Sequence, residues 1–187
     1  MKKLAIMLLL GFSLALIIGY IYYNKSKNNM KETITTLPKM KLAGVKFECT
    51  NKTLMETQFA PLQQAIGTLM SLGIKAKSQN LYNMAINMTD DYKKDPITGK
   101  YDCFIAFEVE SFDNLPSESH TFDFVGGKYK IFETEKGPLQ KVVFEKWFSI
   151  WNNQELKQER AYLADFNVYR GDENFENDSI KIYIGIK

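Results

Sequence analysis

Of the 22 carboxylates and the single histidine in this chain, few fall where acid–base or cation-binding chemistry could use them. Glu108 falls inside the apolar stretch 101–111. If Ile105, Phe107 and Val109 form the covered side of a strand there, Glu108 shares the other side with Phe104 and Ala106. A carboxylate in such surroundings can pair with a cation or act as a general acid or base, and an exposed edge carboxylate fits the same spacing. Farther on, Asp165, Asn167 and Tyr169 alternate along 163–169, and Tyr183 belongs to the alternating run 180–187. Placing Ile180, Ile182, Ile184 and Ile186 on the core side, with Ala164, Phe166 and Val168, leaves Asp165, Asn167, Tyr169 and Tyr183 on one opposite face. Tyrosine and tryptophan join an apolar body to a polar tip, which suits a ligand cleft. Tyr129, Trp147, Asn167, Tyr169 and Tyr183 are therefore candidate ligand-binding residues, with Glu108 and Asp165 as charged candidates. An ordinary solvated sheet face carrying tyrosines is the alternative.

Other chemistries find little support. His120 is the single histidine and has no cysteine near it in sequence, so no His-based metal site is expected. Cys49 and Cys103 are too few for a disulfide framework, and they lack metal spacing. Two buried thiols are the default reading, although antiparallel pairing of their strands would bring them together. No residue is assigned a catalytic role, and no metal or cofactor is implied.

Composition narrows the class further. Of 187 residues, 45% are hydrophobic and 13% aromatic, enough to fill a core, while a net charge of +2 gives no basic stripe for nucleic acid.

The N-terminal run 4–23 carries no charge and has lysines on both sides. As a helix it would span roughly 30 Å, the thickness of a bilayer core. It is longer than a usual signal-peptide core and no small-residue cleavage site follows it, so an uncleaved single-pass anchor is expected rather than a leader. Lys2 and Lys3 before the run and Lys25 to Lys41 after it pull the topology in opposite directions, so the side of the membrane is undetermined.

Beyond an irregular tether, periodicity predicts a strand at 40–49, a helix at 55–72 ending before Gly73, and strands at 82–88 and 101–111. A strand at 121–133, bent at Gly126-Gly127, opens a second set. A helix from Gly137-Pro138 to about Asn153 and strands at 163–169 and 180–187 complete it. On the helix, Trp147 and Trp151 share a face and read as core, with room for one to reach a cleft. The order is β-α-β-β twice. The expected fold is α+β: duplicated units forming an antiparallel sheet with two helices on one face, preceded by one transmembrane helix. The expected layout is an anchor at 1–24, a tether at 25–36 and a domain at 37–187, with halves of about 37–115 and 116–187.

Several segments carry a resemblance. They are Leu37-Pro38 leading into 40–45, Gly126-Gly127-Lys128-Tyr129, Phe132, Gly137-Pro138 and Trp147-Phe148-Ser149-Ile150-Trp151. Asp165-Phe166-Asn167-Val168-Tyr169 and Ile182-Tyr183-Ile184-Gly185-Ile186 complete the set. Together they resemble the GyrI-like, or AraC-type effector-binding, small-molecule-binding domain. The resemblance implies a cleft between two half-sheets that accepts drug-like or cationic small molecules. It also brings relatives that bind protein partners and relatives that hydrolyse strained-ring toxins. The family pattern Phe-Glu-x-Tyr reads Phe166-Asn167-Val168-Tyr169 here, and an asparagine can neither neutralise a cation nor take a proton.

The expected function is a membrane-tethered, non-catalytic module that captures an apolar or cationic ligand, leaning away from an enzyme. A hydrolase of electrophilic small molecules and a protein-interaction module are the alternatives.

Overall fold

A computed structural model describes residues 32–187. In chain order these form β1 (Glu32–Leu37), β2 (Met40–Cys49), α1 (Asn51–Glu56), α2 (Ala60–Ser71), β3 (Leu81–Ile86), α3 (Asp90–Lys94) and β4 (Tyr101–Val109). There follow β5 (His120–Phe124), β6 (Gly127–Glu133), α4 (Leu139–Trp151), α5 (Gln154–Glu159), β7 (Ala164–Tyr169) and β8 (Lys181–Gly185). The expected duplication is present as β2-α1-α2-β3-α3-β4 and β6-α4-α5-β7-β8. The strands make one antiparallel sheet in the order β1-β6-β8-β7-β3-β4-β2-β5.

Local chemistry sets the helix ends. Thr50 caps α1, its hydroxyl accepting from the Thr53 N–H at 3.0 Å. Gln58 and Phe59 then take left-handed backbone conformations, so the helix expected over 55–72 is two helices with a turn between them. Pro61 sits in the first turn of α2, where its missing N–H costs nothing, and Gly73 follows the last turn with φ +68°. Asn153 caps α5, accepting from the Leu156 N–H, which divides α4 from α5.

β1 and β5 are exchanged between the halves. β1 precedes the first half yet pairs with β6 of the second, and β5 precedes the second yet pairs with β2 of the first. Residues 32–37, expected as irregular tether, are thus an edge strand. Only two residues join β1 to β2, and two join β5 to β6, although these strands lie at opposite ends of the sheet. Links that short reach about 10 Å, so the sheet must curl until its ends meet. Gly126 lies where they cross: a Cβ there would fall 2.5 Å from the Leu37 carbonyl oxygen.

Curling gives the sheet two buried faces. The concave inner face holds Leu42, Met84, Phe104, Phe124, Tyr129 and Phe166, all 3% exposed or less. Full burial of such side chains is worth roughly 1.5–3 kcal/mol each. The outer face is covered by helices. Leu69 of α2 packs with Cys103 and Ile105, and Ile150 of α4 and Leu156 of α5 pack with Phe132, Ile182 and Ile184.

The expected membrane localisation is corrected here. Among the described residues no helix is long and apolar enough to cross a membrane. The anchor expected at 4–23 lies outside the described residues.

Candidate functional site

The seam between the halves is the pair β3–β7, with Asn83 opposite Asn167 and Ala85 opposite Asp165. Side chains of Asn83, Ala85, Asn167 and Tyr169 point to the helix side of this seam, as do Tyr101 and Cys103 of β4. α2 and α4 stand on either side and leave a cavity of about 300 Å³ between them, at the lower end of the usual size for small-molecule sites. Leu62, Gln63 and Ile66 of α2 form one wall, with Phe59 from the turn before it. Gln140, Val143, Phe144, Trp147 and Trp151 of α4 form the other. Phe175, from the loop between β7 and β8, lies at the rim and stacks on Tyr169 at 6.4 Å. The spacing of Val143, Trp147 and Trp151 puts one residue per turn on the same side of α4, and the two indoles stack at 6.0 Å.

The cavity is uncharged. Its lining residues include five amides, three tyrosines and one thiol, and no Asp, Glu, Lys, Arg or His. Burial pushes the hydroxyls of Tyr92, Tyr101 and Tyr169 above the ordinary tyrosine range, so each keeps its proton at neutral pH. The Cys103 thiol is held well above its usual value, by its contact with Cys49 and by burial. Cys49 and Cys103 are both free and buried. They sit on diagonal positions of the β2–β4 pair, where Cys49 faces Tyr101 and Phe47 faces Cys103.

At the floor, the Trp147 indole N–H donates to Asn167 Oδ1 at 3.4 Å, and the Cys103 thiol donates to Asn83 Oδ1 at 3.6 Å. Asn167 Nδ2 and Trp151 Nε1 have no hydrogen-bond partner. The Tyr169 hydroxyl lies near the first and the Tyr92 hydroxyl near the second, each short of a hydrogen bond.

Three of the sequence candidates therefore meet in the cavity: Trp147, Asn167 and Tyr169. Four do not. Tyr129 is on the inner face, 3% exposed, with its hydroxyl donating to the Ala164 carbonyl at 3.0 Å. Tyr183 is also on the inner face, stacked on Phe166 at 4.8 Å. Glu108 is on that side too, in an ion pair with Lys77 at 2.8 Å. Asp165 is on the helix side but fully buried, in a pair with Arg160, and it accepts from the Gly185 N–H at 2.8 Å. Burial pushes its carboxyl up and the guanidinium pulls it back. Arg160 in turn lies over the rings of Tyr162 at 4.4 Å and Tyr92 at 5.7 Å.

The expected face was thus the wrong one for the cleft. Phe166 faces Tyr183 across β7–β8, whereas Asn167 faces Ile182. The tyrosine-bearing face turned away from the helices is a filled core, and the hollow is on the side of the helices. Sequence reasoning missed Phe59, Leu62, Ile66, Asn83, Val143 and Phe144 as cavity residues. The available signal was the apolar coverage of the second helix, which is wider than one core stripe needs. Among the described residues no group of three or more His, Cys, Asp or Glu could hold a metal ion.

Two curved half-sheets with helices flanking a seam cavity can be compared with known proteins. The family model described as Cass2, integron-associated effector-binding protein, matches residues 33–186. The chain belongs to the Cass2 family. Two solved structures share this fold. The integron cassette protein from the mobile metagenome of Vibrio cholerae is 24% identical, with a TM-score of 0.64 over 83% of this chain and 95% of that one. SAV2435, solved bound to tetraphenylphosphonium, is 18% identical, with a TM-score of 0.66 over 84% of this chain and 94% of that one. YobU of Bacillus subtilis (strain 168), which carries a transcriptional-regulator name, is 30% identical over 91 residues, 45% of this chain. The match spans 55% of YobU, about half the length of that relative. The GyrI-like resemblance read from the sequence agrees with these findings.

Proposed function

We propose that this Cass2-family domain is a small-molecule-binding module that captures an aromatic, largely apolar ligand in the cavity between α2 and α4. The observation that carries this reading is a cavity of about 300 Å³ walled by Phe59, Phe144, Trp147, Trp151 and Tyr169 with amides at its floor. Apolar walls with a few fixed polar groups are the usual make-up of a ligand site: the rings supply contact area and the amides set orientation. The effector-binding description of the family supports the reading. So does a shared fold with a protein that holds tetraphenylphosphonium, an organic ion of four aromatic rings. Such a module acts by binding alone. Glu108 and Asp165, the carboxylates considered for acid–base work, are both committed to ion pairs outside the cavity lining.

The two tryptophans of the chain are Trp147 and Trp151, and both line the cavity. Intrinsic tryptophan fluorescence therefore reports on this site without background from elsewhere. Titration with multi-ring aromatic probes is expected to give saturable quenching, with a blue shift as water is displaced. Probes that bind by calorimetry without changing the tryptophan emission would contradict the reading.

A further inference from the structure

The hydrogen bonds at the cavity floor are incomplete in one direction. The Trp147 indole can only donate, so it fixes the Asn167 amide with Oδ1 toward α4 and Nδ2 turned away. Asn167 is 1% exposed, and its Nδ2 has no partner. The buried Trp151 Nε1–H, one turn farther along α4, has none either. Both residues line the same cavity. Buried donors are nearly always satisfied in folded proteins, so unpaired ones on two side chains that line one hollow mark where a ligand atom belongs. The Tyr169 hydroxyl beside the first and the Tyr92 hydroxyl beside the second do not complete a hydrogen bond, so both donors lack a bonded acceptor. A permanent cation without a lone pair, such as tetraphenylphosphonium, cannot supply one. It would also meet the positive ends of two N–H dipoles, with no carboxylate among the lining residues to offset them. Asp165 cannot serve, since Arg160 and the Gly185 N–H occupy its oxygens.

We infer that the cavity selects an uncharged aromatic ligand bearing a strong hydrogen-bond acceptor, such as a carbonyl, sulfonyl or phosphoryl oxygen, which completes Asn167 Nδ2, with Trp151 Nε1 as a second donor position. This rests on the cavity being the ligand site. It separates this chain from a site built to neutralise a cation, and Asn167 is the residue that decides it.

The test uses two probes of similar shape on the full chain: triphenylphosphine oxide, neutral with one strong acceptor, and tetraphenylphosphonium, a permanent cation with none. Calorimetry is expected to give affinity for the oxide at least about tenfold tighter than for the phosphonium. Asn167→Leu, which keeps the branched outline but removes the amide, should lose about tenfold for the oxide relative to the phosphonium, bringing the ratio of the two affinities toward one. Asn167→Glu should reverse the preference, and if that variant fails to fold the wild-type ratio and the leucine variant decide. Equal or tighter binding of the phosphonium by wild type overturns the inference and leaves the cavity as a ligand site intact. A preference for the oxide that survives Asn167→Leu also overturns it. Binding of neither probe overturns both the inference and the reading beneath it.

Discussion

Asn83 and Asn167 stand opposite each other in the β3–β7 pair, one contributed by each half of the duplication. Their amides form the polar floor of the cavity, at the line where the halves join. Each is held from its own side, Asn83 by the Cys103 thiol and Asn167 by the Trp147 indole. The site therefore depends on both halves being in register. A one-residue slip of either strand along the seam would turn its amide to the inner face and bring its inner-face residues, Tyr82 and Met84 of β3 or Phe166 of β7, under the helices.

The two tyrosines read together from the sequence should separate in experiment. Tyr169 lines the cavity, whereas Tyr183 is stacked on Phe166 on the far side of the sheet. Tyr169→Ala should weaken an aromatic ligand on the order of tenfold, the worth of one aromatic contact and its buried area. Tyr183→Ala should lower stability with ligand affinity within about twofold of wild type. Calorimetry on both variants, with a thermal melt of each, checks the contrast.

Arg160 and Asp165 are 2% and 0% exposed and bind one another through the guanidinium. Removing one partner strands a buried charge. Arg160→Met should destabilise the domain by about 3–5 kcal/mol, and pairing it with Asp165→Leu should recover much of that loss. Urea unfolding of the single and double variants measures both. The single variant should also loosen Tyr92, whose ring lies under the guanidinium and whose side chain lines the cavity.

Gly126 has φ +74°, and a Cβ there would sit 2.5 Å from the Leu37 carbonyl oxygen. Gly126→Ala must both strain this backbone and push the two crossing chains apart, so a loss of more than about 1 kcal/mol is expected. Gly73, also at positive φ but with nothing within 4 Å of its would-be Cβ, should cost only the conformational part, about 1 kcal/mol. Denaturant midpoints of the two alanine variants test the difference.

Much of the element order was legible because its signals are local. The strand 40–49 coincides with β2, and the alternation of Ile180, Ile182 and Ile184 correctly marked the side of β8 that packs under α4. The face of β7 was read backwards. Alternation tells which residues are apolar, and it assumes that the apolar side lies under the helices. That assumption fails when a sheet curls and buries both sides. Phe166 is 1% exposed, as its type suggests, but among Phe124, Tyr129 and Tyr82 on the inner face. The curl comes from β1 pairing with β6 and β5 with β2, pairings that join residues about a hundred and about eighty positions apart, so no local window contains them. The break at Gln58 and Phe59 escaped for a different reason. Neither residue is a usual left-handed former, and the Phe59 N–H bond to the Leu54 carbonyl at 2.7 Å holds the turn. Trp147, Asn167 and Tyr169 line the cavity although Asn167 and Tyr169 were assigned to the face turned away from the helices.

A crystal structure of the domain grown with a saturating multi-ring aromatic ligand tests the central claim most directly. Ligand density is expected between Ile66 and Trp147, above the Asn83–Asn167 pair. Density against Tyr129 and Tyr183 on the concave face, or an α2–α4 cavity left empty at saturating ligand, would contradict it.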